Sequence, residues 1–104
     1  MTYGILLVTC PNFKLADRIS ESLLKKKLIA CANILPAIKS KYWWKGKLEK
    51  HSEVLLILKT KSSLHPKIER EIKRLHSYDA PEIIFIKIDK ANKDYSNWIS
   101  DVTK

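Results

Sequence analysis

Between Leu28 and Lys61 the chain carries two long apolar strand-like runs joined by one short turn. The first, Ile29 to Trp44, holds strand character for about 16 residues, which at roughly 3.3 Å per residue is about 50 Å. A chain of 104 residues reads as one domain spanning 1–104, with a radius of gyration of about 13 Å and a diameter of about 35 Å. One end of the hairpin must overhang, and that end is Tyr42-Trp43-Trp44. Exposed strand edges and large aromatics invite pairing with another chain. The chain most available is a second copy of the same protein.

The rest of the sequence supplies a compact body for that hairpin. Tyr3 to Thr9 is a near-continuous apolar run, as a covered central strand would be. Asn12 follows as a candidate N-cap, and Ala16, Ile19, Leu23 and Leu24 fall at helical spacing through a helix predicted over Phe13–Lys27. In the hairpin, strict alternation puts Ile34, Pro36, Ile38, Ser40, Tyr42 and Trp44 on one face and Leu35, Ala37, Lys39, Lys41 and Trp43 on the other. Pro36 has no N–H for a ladder, which predicts a bulge or an edge position there. Lys45-Gly46 makes the turn, and Leu48 to Lys61 returns, charged at first and apolar from Val54. A second helix begins at Ser62-Ser63, with Leu64, Ile68, Ile72 and Leu75 as its stripe. A strand over Glu82–Ile88 follows, then a helix from near Asn92 with Tyr95, Trp98, Ile99 and Val102 on one face. The βαββαβ order specifies an α+β, ferredoxin-like sandwich, with an added C-terminal helix. The first and third strands are expected at its centre and the long second strand at an edge.

Composition narrows the function. No apolar run approaches the roughly 18 residues of a membrane span, and the first residues lack the basic region of a secretory signal, so a cytoplasmic protein with no membrane partner is expected. Cys10 and Cys31 stand in apolar strands far apart in sequence, the pattern of reduced, packed thiols. The charge of +9 comes from 20 Lys and Arg against 11 Asp and Glu, and only Arg18, Arg70 and Arg74 are arginines. Lysines spread over every element describe a solvated surface with weak attraction to polyanions rather than specific nucleic-acid binding. An RNA-recognition motif would need aromatics on the central strands, which instead read Ile5-Leu6-Leu7-Val8 and Val54 to Leu58. No nucleophile is paired with a base, and no phosphate loop or zinc spacing is present, so an enzyme is not expected.

Several words of the sequence are distinctive: Leu28-Ile29-Ala30-Cys31-Ala32-Asn33, Tyr42-Trp43-Trp44-Lys45-Gly46-Lys47-Leu48, Glu53 with Leu58-Lys59-Thr60, His76-x-Tyr78-x-x-Pro81-Glu82, and Asp94-Tyr95-x-x-Trp98. In this order and spacing they resemble the CutA family of divalent-cation tolerance proteins, over essentially the whole chain. The resemblance implies a homotrimer similar in architecture to PII signalling proteins, with long hairpins paired between subunits and grooves at the three interfaces. Tyr42, Trp43 and Trp44 then read as trimer-interface residues that bury area against a neighbour, or else as a stacking surface for a flat ligand or a base. It also implies a copper site of the kind proposed in some members, where a first-strand Cys joins a His-His pair before Pro-Tyr. This chain has Val8 at the first-strand position, with Cys10 nearby, and Leu75-His76 followed by Ser77. Only His76 carries over directly.

Five residues follow as site candidates. His76 reads either as a metal ligand in a groove or as an imidazole that closes its helix. Cys31 reads as a soft-metal ligand if a partner such as Lys59 or Glu53 lies near, and otherwise as a small packed side chain. Lys59 either snorkels at the sheet end or meets an anion. Glu53 and Tyr78 complete the groove candidates. The expected function is a trimeric divalent-cation tolerance protein that binds copper, another divalent metal or a small anion at intersubunit grooves. The alternative is a rigid trimeric platform that docks partner proteins without a small ligand.

Overall fold

The computed structural model describes residues 1–104. Strand β1 (Tyr3–Cys10) leads to helix α1 (Phe13–Lys25), and the hairpin follows as β2 (Cys31–Trp44) and β3 (Lys47–Lys61). A short 3-10 turn (Ser62–Leu64) opens helix α2 (His65–Leu75), then come β4 (Ile83–Ile88) and α3 (Lys93–Val102). The four strands form one antiparallel sheet in the order β2-β3-β1-β4, with β1 and β3 central and β2 at an edge as expected.

Local chemistry sets the helix ends. Asn12 Oδ1 accepts from the Leu15 N–H at 2.9 Å, and Asn92 does the same for Tyr95, so α1 and α3 each start on a side-chain cap. Helix α1 stops two residues before its predicted end. Lys27 takes a left-handed φ of 56°, its N–H bonds to Leu24 O, and the Leu28 N–H bonds to Leu23 O. That paired closure turns the chain into β2 at a position where glycine is commoner.

The sheet has one finished face. Leu6, Val8 and Cys10 of β1 and Leu56 and Leu58 of β3 alternate inward and are wholly buried against Ala16, Ile19 and Leu23 of α1 and Ile68 and Ile72 of α2. The two helices are tied together at Glu71. Its buried carboxylate accepts from Ser22, from Lys26 Nζ at 2.9 Å and from both Nε and Nη2 of Arg74 at 2.9 and 2.8 Å. Of the apolar face predicted for α3, only Ile99 is buried; Tyr95, Trp98 and Val102 remain open to solvent.

The molecule measures 44 × 26 × 22 Å, and the hairpin accounts for the long axis. At the turn Lys45 and Gly46 both have positive φ, 49° and 77°, the type I′ geometry that suits the twist of a two-residue hairpin. Trp43 at the tip is 74% exposed. The bulge predicted at Pro36 is present: Leu35 pairs with Leu55 and Ile38 with Glu53, so Pro36 and Ala37 (φ 62°) together face Val54. This extra residue overturns the predicted face assignment. Side chains opposite one another point the same way, and a one-residue insertion reverses every later residue. Leu35 therefore shares a face with Ile38, Ser40, Tyr42 and Trp44, not with Trp43.

Candidate functional site

The bulge also shapes a cleft beside the sheet. It turns the outer half of β2 so that Tyr42 faces the same side as Glu53 of β3 and Thr9 of β1. Across from them runs the segment between α2 and β4, which brings Tyr78, Asp79 and Glu82. The space enclosed is about 690 Å³, with Lys39 and Lys41 also on its wall.

His76 fixes that segment in place. Its backbone N–H closes α2 on Ile72 O at 2.8 Å. Its Nδ1 accepts from the Tyr78 N–H at 3.1 Å, so the other nitrogen, Nε2, carries the proton and donates to Thr9 O at 2.7 Å. The imidazole thus pins the chain after α2 to the end of β1, with the Tyr78 ring 4.8 Å away. Both nitrogens are occupied, which leaves no free lone pair for a metal.

Tyr78 passes the connection on. Its hydroxyl donates to Glu53 Oε2 at 2.7 Å, and Glu53 is 5% exposed at the floor of the cleft. Burial, with the acceptor Glu53 beside it, pushes the Tyr78 hydroxyl far up, so it stays a donor throughout the physiological range. Burial raises the Glu82 carboxyl, and the charge on Glu53 adds to the shift. Cys10 lies just behind in the core, where burial and then Glu53 push its thiol up to about 11. Such a thiol is protonated and unreactive.

The other candidates assemble elsewhere. Cys31 stands directly opposite Lys59 on the face of the sheet that no helix covers. Lys59 Nζ lies 2.6 Å from Asn33 Oδ1 and 4.0 Å from Cys31 Sγ. Lys59 is six residues from Glu53 on β3, or about 20 Å. Cys31 is likewise separated from His76, whose contact at Thr9 lies opposite Leu55. The structure therefore splits the predicted set in two: Glu53, Tyr78 and His76 at the cleft, Cys31 and Lys59 on the open sheet. No three His, Cys, Asp or Glu side chains converge in a way that could hold a metal ion. Thr9, Lys39, Lys41 and Asp79 at the cleft had no distinguishing signal in the sequence. Glu82 had one, the carboxylate directly after Pro81.

The family model for the CutA1 divalent ion tolerance protein matches residues 4–102. The chain belongs to the CutA1 family. It is 44% identical over 100 residues to the divalent-cation tolerance protein CutA of Pyrococcus horikoshii, covering 96% of this chain and 97% of that protein. It is 42% identical over 97 residues to mouse Protein CutA, covering 93% of this chain and 55% of the relative, so it spans about half the length of such mammalian relatives. Among solved structures, CutA1 from Oryza sativa superposes with a TM-score of 0.97 at 38% identity, over 100% of this chain and 95% of that one. The periplasmic divalent cation tolerance protein CutA from Archaeoglobus fulgidus superposes with a TM-score of 0.95 at 39% identity, over 98% and 99% of the two chains. CutA1 relatives thus carry the same ferredoxin-like sandwich and long hairpin, and the general role named for the family is tolerance of divalent cations. No helix of the molecule is long and apolar enough to cross a membrane.

Proposed function

We propose that this protein serves divalent-cation tolerance as a cytoplasmic, non-enzymatic homotrimer that binds a divalent cation, copper among them, in the cleft beneath Tyr78. The observation that carries the reading is Glu53. A carboxylate is almost wholly buried there beside a second one, Glu82, which is pushed toward its neutral form. A bound cation would neutralise that pair, and the bond from Tyr78 already orients one of its oxygens. The protomer alone offers too few ligands, which fits a groove completed by a neighbouring subunit. The open sheet face supports the assembly: Leu35, Ile84 and Ile86 are 39%, 48% and 43% exposed, and the hairpin overhangs beside them.

Titration calorimetry with copper and with zinc on the purified protein tests this. The expected result is saturable heat that Glu53→Gln abolishes. No heat with either metal, or heat unchanged in Glu53→Gln, contradicts it. Heat only with a nucleotide, lost in Lys39→Ala/Lys41→Ala, would move the site to the small-anion form of the reading.

The platform reading has its own support in the paired nitrogens of His76 and the lack of a three-residue metal cluster. A partner protein retained after chelation and in Glu53→Gln would favour it.

A further inference from the structure

The positive charge of the chain lies in two places: the hairpin, residues 31–61, carries seven Lys against two Glu, a net +5, and the helical layer carries as much. In α1 and α2, with Lys26 and Lys27 at the end of α1, nine Lys and Arg stand against four Asp and Glu, a net +5 of the chain's +9. All three arginines of the chain lie there. Glu71 is buried and consumed by Lys26 and Arg74, and Glu69 pairs with Lys73. Lys14, Arg18, Lys25, Lys27, Lys67 and Arg70 are all exposed, and none has a carboxylate within 4.0 Å. The remaining acids of the layer, Asp17 and Glu21, do not pair with them.

Two apolar side chains stand at the edge of this surface, with Asp17 and Glu21 between them and the cations of α1 around the helix axis. Phe13 is 57% exposed and Leu24 is 40% exposed. At eleven positions apart on α1 they stand about 20° from each other around the helix axis. The layer backs the sheet on the side opposite its open face, so self-association through that face leaves it in solvent.

We propose that the helical layer docks this protein on an anionic lipid surface. The free Lys and Arg meet headgroup phosphates, and Phe13 and Leu24 reach the boundary of the acyl chains. A nucleic acid suits this layer less well. Phe13 is the single aromatic exposed on it, too few for base stacking, and neither large cleft of the molecule is lined by it. The lack of a spanning apolar run predicts no membrane partner, and this layer argues otherwise, because spacing along the chain does not show that two helices pool their charge. The inference does not depend on the cleft or its ligand.

Co-sedimentation with vesicles tests it, using phosphatidylcholine alone and phosphatidylcholine with phosphatidylglycerol, at low and high ionic strength. The protein is expected to bind the anionic vesicles only, and to release them at high salt. Arg18→Glu/Lys67→Glu/Arg70→Glu should weaken binding by about a hundredfold. Lys87→Glu/Lys90→Glu/Lys93→Glu, with the same change in net charge outside the layer, should bind as the parent does. Circular dichroism of both variants separates lost binding from lost folding. Equal binding to neutral vesicles, equal losses in the two variants, or binding to duplex DNA without binding to vesicles would each overturn the proposal.

Discussion

The two faces of one sheet differ more than any two elements of this protein. Toward the helices, Leu6, Val8, Leu56 and Leu58 have no exposed surface; away from them, Ile84 and Ile86 of the same sheet are nearly half open. Both sets are aliphatic, on strands of similar composition. The difference lies in what covers them. The protomer completes the first face by itself and leaves the second exposed, while the hairpin carries aromatic side chains beyond the body. One face encodes the fold, and the other is the surface that the proposed assembly would cover.

Charging the open face should have the largest effect. In Ile84→Asp/Ile86→Asp, burying each carboxylate at an interface costs several kcal/mol. The assembly should dissociate while far-UV circular dichroism stays native, since both side chains are solvated in the protomer. Loss of secondary structure instead would show that this face belongs to the folding core. On the closed face, Leu56→Ala removes a wholly buried side chain and should cost about 3 kcal/mol in denaturant melts. A cost under about 1 kcal/mol would erase the distinction between the faces.

At the hairpin, Trp43→Ala and Trp44→Ala should weaken assembly by about 2 kcal/mol and leave the protomer's own stability unchanged. The bulge sharpens this prediction, because it sends Trp44 to the open face and Trp43 to the other. Sedimentation profiles identical to the parent in both variants would remove the tip from the interface.

The smallest effect concerns the link between the helices. Bonds from Arg74, Ser22 and Lys26 hold the Glu71 carboxyl well below its ordinary 4.5. The unfolded chain takes up that proton first as pH falls. The stabilisation is therefore complete above the ordinary carboxylate range and is lost progressively from about pH 4.5 downward. With Lys26 and Arg74 half exposed, it amounts to about 1 kcal/mol. Glu71→Gln should lower neutral stability by that amount and flatten the acid limb of a stability-against-pH curve. An unchanged limb would mean that other carboxylates carry it.

The fold was largely legible because hydrophobic period and breakers agreed at each element. Asn12 and Asn92 capped their helices, Pro36 forced its bulge, and Lys45-Gly46 turned the hairpin. The site was legible in residue type but not in grouping. Period-two alternation cannot show that an inserted residue reverses the outer half of β2, so the company of Tyr42 was misread. The separation of Lys59 and Glu53, about 20 Å for six residues on one predicted strand, was readable from the sequence, although the family motifs group them. The hydrogen-bond partners that occupy His76 are Thr9 and Tyr78, one of them 67 residues away in the chain. Glu71 gave no signal at all, because its partners come from two helices that the sequence separates.

The central claim is that the open face and overhanging hairpin are completed by copies of the same chain. Sedimentation equilibrium of the purified protein at micromolar concentration measures this directly. A single species of three times the 12.1 kDa chain mass, stable to dilution, is expected. A species of 12.1 kDa would contradict it.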